Sequence, residues 1–340
     1  MVALTAFVWV IVSVTTEYTF SGLIPALVMV ESTQATLYEP LGKSDDPDAI
    51  LGSKFEPELL LVKQAPITSS FRSTLRHLRS IGGFRSRFRG FRIFAVTHVA
   101  AIWINQWISA LLPFLPIGSA EIVTAVLLAN LSMAWTHIVI SSPSEKAWFR
   151  RLPSVQAWKK VAGPTAICAF AEQFAVLIPL GLVTWMGLDN ISRDDGKKMS
   201  KHDLTVVNLK ALTIILITLC LAVLVSFPVK VALTRVQASL LAEDQETVVP
   251  FDRTFNGKVS EFDGVIGLVE AWKTFQPSSR MRLMKTYIKS FFIQVALAIF
   301  FFGIFAAEVF MILGSDKIME LGRKVTNPDI EGISILPASN

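Results

Sequence analysis

Charge is the scarcest commodity in this chain. Only 17% of its 340 residues are Asp, Glu, Lys or Arg, against about 25% in an ordinary soluble domain. So few charges cannot coat a water-facing surface, and the mean hydropathy of +0.52 points the same way. Both place the chain among membrane proteins. Cysteine is also nearly absent. Cys168 and Cys220 lie inside apolar runs, which argues against a disulfide framework or a thiolate metal site. Apolar burial raises a thiol's pKa, so neither is expected to be a nucleophile. The histidines at 77, 98, 137 and 202 share no metal-ligand spacing. No glycine-rich phosphate loop follows a strand, and no nucleophile is paired with a base. The expectation is no enzyme, no metal and no cofactor. The N-terminus is apolar from its second residue and has no basic n-region, so a cleaved signal peptide is not expected.

Long apolar runs fill the space that charge leaves. A spanning helix needs about 20 mostly apolar residues. Six segments qualify: Val2–Val30, Ile93–Phe114, Ile122–Ile140, Pro164–Gly187, Leu209–Val231 and Ile288–Leu313. The first is interrupted by "TTEYT". The fold class expected is all-α, a polytopic membrane protein with six spans in three hairpins. The first hairpin covers 1–115 with a long loop at 31–91, and the second covers 116–205. The third covers 206–315 with a long loop at 232–287, and a polar tail follows at 316–340. Lys and Arg number nine in the first loop, none in Leu115–Glu121, five in Ser141–Gly163 and seven in the fifth loop. The fourth loop has four, balanced by Asp189, Asp194, Asp195 and Asp203. The positive-inside tendency puts the first, third and fifth loops on one side and both termini on the other.

The ends of the odd spans repeat one another. Pro228 is followed by Arg235 and Gln237, Pro143 by Glu145 and Arg150, and Pro25 by Gln34 at the same distance as Gln237 from Pro228. A proline removes one helix hydrogen bond and kinks the helix, so each odd span is expected to break as it reaches the basic side. In the first loop, Phe71, Leu75 and Leu78 recur at helical spacing with Arg72, Arg76 and Arg79 one step round. That is an amphipathic helix suited to a membrane interface. "GGFRSRFRG" then opens the second span.

This pattern resembles the mitochondrial carrier family. Its three repeats each carry a proline-acid-base motif ending an odd span, then a short helix, then acid-glycine, four residues and aromatic-basic-glycine opening the even span. Gly83 and Phe88-Arg89-Gly90 match the second part, with Gly82 where the acid belongs. Pro143, Glu145 and Arg150 match the first part, with Trp148 at a basic position. Pro228, Arg235 and Gln237 match it with Lys230 at the acidic position, and Pro25 has neither acid nor base. The third repeat offers Phe262-Asp263-Gly264 and then Lys285. The resemblance implies a pseudo-threefold bundle that carries a small solute across an organellar membrane, such as the mitochondrial inner membrane. It also implies an anionic lipid such as cardiolipin at the "FRG" helix start, with Gly83, Arg85, Arg87, Phe88, Arg89 and Gly90 as candidates.

An ionised residue deep in a span costs about 2.5–3.5 kcal/mol on insertion scales and so faces a partner or a cavity. On the even spans such polar residues are His98, Asn105, Gln106, Glu172, Gln173 and Gln294, the candidates for solute contact. Asn130 and His137 lie in the third span, and Glu308 near the end of the sixth could snorkel to the interface. A polar residue in a span can equally just bond a neighbouring helix, for about 0.6 kcal/mol. The incomplete motifs and insert-bearing basic loops leave a second reading, a non-transporting scaffold or lipid-interacting protein. Nucleic acid is not an expected partner, because the first-loop arginines abut a span and no second basic-aromatic platform accompanies them.

Overall fold

The computed structural model describes residues 2–32, 36–39, 60–63, 66–191, 199–260 and 264–326. The chain divides into two units, Met1–Gly22 with Lys285–Asn340, and Leu23–Met284. Five helices are long and apolar enough to cross a membrane: Val2–Val30, Phe84–Leu111, Val155–Trp185, Lys201–Ser239 and Pro277–Ile312. Ser119–Leu127 and Ala129–Ile140, bent by 57°, make a sixth if they count as one span. Their outer faces are inside-out by the standards of a soluble protein. Trp103 and Trp107, Ile167 and Phe170, Ile215 and Leu219, and Ile299 and Phe302 are all more than half exposed. Contiguous apolar surface on that scale has no place in water, and the chain is a multi-pass integral membrane protein.

The first span is α1 (Val2–Glu17), a π-helical turn (Tyr18–Leu23) and α2 (Ile24–Val30). "TTEYT" does not stop it. Thr15 and Thr19 donate their hydroxyls to the carbonyls of Ile11 (2.8 Å) and Thr15 (2.9 Å), which hides their polarity in the helix. Two strands, β1 (Thr36–Glu39) and β2 (Leu60–Lys63), pair antiparallel. The acidic insert between them lies outside the described residues. Helix α3 (Phe71–Gly82) opens with a capping box between Ser70 and Ser73 and buries Thr74 and Leu78. Its Arg72, Arg76 and Arg79 are exposed. The second span enters through a 3₁₀ turn (Phe84–Phe88) and continues as α4 (Phe91–Leu111). Gly90 between them has φ 77°, a left-handed backbone that glycine alone adopts at no steric cost.

Counting the bent pair as one span, the third span is α5 (Ser119–Leu127) and α6 (Ala129–Ile140), the fourth α7 (Val155–Trp185). The fifth is α8 (Lys201–Leu221), a π turn (Ala222–Ser226) and α9 (Phe227–Ser239). A short α10 (Leu268–Lys273) precedes α11 (Pro277–Thr326). In that last helix Gly314 is non-helical with φ 73°, and helix persists to Thr326 where the sequence suggested a tail.

The prolines act differently in the three odd spans. Pro25 and Pro228 each stand in the first two positions of a helix that directly follows a π turn. The wide turn absorbs the carbonyl that a proline leaves unbonded. Pro143 instead follows the helix end at Ile140, and the third span bends at Leu128. There the indole N–H of Trp158 donates to the Val126 carbonyl at 2.9 Å. A side chain thus takes a carbonyl of the helix ladder, a recognised cause of kinks.

Within Leu23–Met284, α4 packs on α5 and α6, these pack on α7, and α7 packs on α8 and α9. Helices α2, α6 and α9 meet pairwise. All seven residues of α2 are buried, as are Met133, Ala134 and Thr136–Ile140 of α6 and Val231, Ala232 and Arg235–Ala238 of α9. The tightest core of this unit is therefore where the three odd spans end. In the other unit, Thr5 donates to Glu308 (2.5 Å), the Ser21 and Ser290 hydroxyls bond each other (2.6 Å), and Trp9 meets Phe305 edge-on at 6.4 Å. Glu308 is buried, not snorkelled.

Truncation separates core from lipid-facing positions. Leu27→Ala should cost about 2–5 kcal/mol, as for other fully buried leucines. Ile215→Ala, on an exposed face, should stay within about 0.5 kcal/mol. Thermal unfolding of the full chain in detergent measures both.

Candidate functional site

The site is assembled from main-chain carbonyls and a few long side chains where α2, α6 and α9 meet. Arg235 projects from α9 and is 6% exposed. Its Nη1 donates to the Met29 carbonyl at 2.9 Å and its Nη2 to the Thr274 hydroxyl at 3.0 Å. The guanidinium lies over the rings of Phe255 (4.6 Å) and Phe275 (5.4 Å). Two residues on, Gln237 is held at every polar atom of its amide. Its Nε2 donates to Ser132 Oγ (3.1 Å) and its Oε1 accepts from Thr136 Oγ1 (2.7 Å). The Gln237 carbonyl lies 2.7 Å from His137 Nε2. A carbonyl only accepts, so that nitrogen carries the proton.

Glu31 closes the neighbouring side. Its side chain is 1% exposed and faces Arg282 Nη1 at 3.2 Å. It also accepts from the Thr68 hydroxyl (2.5 Å) and amide (3.3 Å). The end of the first span is thus tied to the start of α11 and to the first loop. A buried charge pair contributes little net stability, but removing one partner typically costs 3–5 kcal/mol.

Asp252 organises the loop that presents Phe255. It accepts from the Thr254 amide (2.9 Å) and hydroxyl (2.6 Å) and from the Asn256 amide (2.8 Å). Burial alone would raise its carboxyl, but these hydrogen bonds and the charge of Arg235 outweigh it and hold the group below the usual carboxylate range.

Of the six even-span candidates, His98 is exposed, bonds the Phe94 carbonyl of its own helix (2.9 Å) and lies tilted at 39° against the Phe94 ring. Asn105 donates to Glu121 at 3.2 Å, and Gln106 is exposed. Gln173 lies against Gly118. Glu172 lies one turn from Cys168 on α7, which packs on α9, the helix that carries Lys230. The thiol of Cys168 faces the Val229 carbonyl at 3.8 Å, which places this part of α7 beside Lys230. Gln294 belongs to the other unit.

The basic stretch borders a separate cleft of about 510 Å³. Its walls include Arg85, Phe88, Arg89, Gly90 and Arg92 on one side and Pro143, Glu145, Lys146 and Arg151 on the other. Arg89 donates to the Ser141 carbonyl, and Arg151 Nη2 donates to the Ser141 hydroxyl at 2.6 Å. Arg87 lies over the Phe84 ring at 5.1 Å. Gly83, with φ 67°, ends α3 just before this turn. Arg150 is exposed, and burial lowers the pKa of Arg151.

Arg235 and Gln237 were visible in the sequence as followers of Pro228, and Gln34 falls outside the described residues. Glu31, Thr136, Phe255, Thr274 and Arg282 were not singled out, because no local spacing links partners so far apart in the chain. The one cue was that Glu31 is the first charge after the α2 run. Among the described residues no group of three or more His, Cys, Asp or Glu could hold a metal. No protein family, curated protein or solved structure matches the chain.

Asp252 gives the site a pH signature. Its folded pKa lies below its unfolded value of about 3.9, so its stabilisation is complete above that pH and lost as pH falls through the folded value. Acidification below about pH 4 should lower the thermal midpoint, and less steeply in Asp252→Asn. Differential scanning fluorimetry of both proteins across acidic buffers measures the two slopes.

Proposed function

We propose that this chain is a carrier-type transporter of a small polar solute across an organellar membrane, with its six spans in three hairpins around a pseudo-threefold axis. The observation that carries this reading is the pairwise meeting of α2, α6 and α9. A carrier needs its odd spans to close one end of a pathway, and these three helices bury their ends against one another. Glu172 on α7 and Lys230 on α9 place two ionisable residues on helices that pack together, and ionisable residues inside spans mark solute pathways. The cleft beside Arg85, Arg89 and Arg151 supplies cations to an anionic headgroup at the membrane surface. The mitochondrial inner membrane, rich in such lipid, is the membrane this reading favours.

The second reading, a lipid-interacting scaffold that carries nothing, is favoured by one feature. The closed end is held by neutral hydrogen bonds and a ring-sandwiched Arg235, not by an exchangeable ring of ion pairs.

Uptake decides between them. The full chain in phosphatidylcholine–cardiolipin liposomes should take up at least one member of a panel of radiolabelled amino acids, carboxylates and nucleotides. Glu172→Gln should then lower uptake by about tenfold, the factor expected for losing one charged contact of roughly 1.4 kcal/mol. If no panel member enters above empty liposomes, the scaffold reading stands. Replacing Arg85, Arg87 and Arg89 together with Ala should reduce co-purified acidic lipid under either reading. Unchanged lipid, counted by mass spectrometry, would remove the headgroup assignment.

A further inference from the structure

The fifth loop does more than link α9 to α10. Its backbone is stitched across the ends of the other odd spans. Ser142 N–H donates to the Glu246 carbonyl (2.7 Å), and Val248 N–H to the Ile140 carbonyl (2.8 Å). Ser141 and Thr247 form an antiparallel bridge between these bonds. Two residues further on, Ser32 N–H donates to the Pro250 carbonyl at 2.7 Å, just past the end of α2. His77 of α3 donates from Nε2 to the Val248 carbonyl at 2.8 Å. One short segment therefore bonds the ends of the first and third spans and the first-loop helix.

The same segment then drives a side chain into the junction. Phe255 is 3% exposed and packs on Ala232, Val236, Ile266 and Ala271, with the Arg235 guanidinium 4.6 Å from its ring centre. It sits there at a conformational cost. Phe255 and Asn256 have φ of 48° and 59°, left-handed values that a bulky aromatic residue rarely adopts. Asp252 holds the turn through the Thr254 and Asn256 amides. Strain of this kind persists only where surrounding contacts impose it, and it is released when they let go.

We propose that residues 246–260 are a removable plug that shuts the odd-span end of this unit, with Phe255 as its stopper and the Asp252 turn as its spring. The α2 and α6 ends cannot separate while one segment is bonded to both Ser32 and Ile140, so withdrawal of this segment precedes any opening between them. Its service as a gate rests on the transport reading above; its closure of the junction does not.

Thiol accessibility tests the plug without any solute. In a Cys168→Ala, Cys220→Ala background, Val139→Cys places a reporter on α6 at a fully buried position. The full chain is reconstituted in phosphatidylcholine–cardiolipin liposomes and exposed to a membrane-impermeant maleimide. The reporter should label slowly with the native plug, and at least about tenfold faster with Phe255→Ala or Asp252→Ala, since truncating a buried aromatic favours local opening. A disulfide between Ser32→Cys and Pro250→Cys, formed before labelling in the Phe255→Ala protein, should restore the slow rate until it is reduced. Equal labelling with and without the plug substitutions would overturn the proposal. So would parallel labelling of Leu78→Cys under α3, which reports general loosening. Absence of uptake with plug-dependent labelling would fail the transport reading and leave the plug standing. Uptake with plug-independent labelling would do the reverse.

Discussion

A guanidinium brings five N–H donors and no acceptor, and it keeps its proton in any protein environment. Burying one therefore dictates what surrounds it. Arg235 is given two acceptors and two aromatic faces, while its buried Nε has no hydrogen-bond partner among the described residues. One acceptor, the Met29 carbonyl, is itself in need. It lies in the last turn of α2, where carbonyls lack a partner within the helix. Two deficits in different spans thus cancel, and the register of α9 against α2 is fixed by that match. Gln237 then fixes α6, because its amide and carbonyl engage Ser132, Thr136 and His137. Phe255 and Phe275 finish the enclosure, and the two loop segments that carry them are positioned by the same cation.

This chemistry bears on how the end could open. Neutral hydrogen bonds net about 0.5–1.5 kcal/mol each, but a buried partner left unpaired costs 1–3 kcal/mol. Parting α9 from α2 and α6 strands a charged Arg235 and the amide of Gln237 unless water or new partners arrive together. An opening of that end would therefore be closer to all-or-none than to a graded flexing. Whatever drives it must prefer the open state by that difference, since a ligand shifts an equilibrium only by its differential affinity. Ion-pair rings can exchange one partner for another, whereas carbonyl acceptors at helix ends cannot move independently of the helices.

The sequence made the spans legible because bilayer crossing leaves a one-dimensional signature, a long apolar run. It also exposed the amphipathic α3, since Arg72, Arg76 and Arg79 follow a helical period. What it could not convey is pairing across the chain. Arg282 and Glu31, or Arg235 and Met29, carry no mutual spacing, and a carbonyl acceptor has no residue identity at all. The bend at Leu128 was hidden for the same reason, because its cause is an indole in another helix. Pro143 was misleading as a kink, being a residue that simply follows a helix end, while Pro25 and Pro228 share one local form, each opening a helix after a π turn.

Charge placement and packing agree on one further point. The first, third and fifth loops hold most of the Lys and Arg, and the fold bonds these loops to one another. Arg89 reaches Ser141, His77 reaches Val248, and Ser142 reaches Glu246. They therefore lie on a common side, as the positive-inside tendency requires. The buried junction of the odd spans lies on that side too, with Ile138 of α6 in the wall of the Arg85–Arg151 cleft and α3 joined to the fifth loop through His77. On the transport reading, basic residues there would concentrate anionic headgroups and repel cationic solutes. Surface charge thus bears on the same place as the buried cation, one from the bilayer and the other from within the bundle.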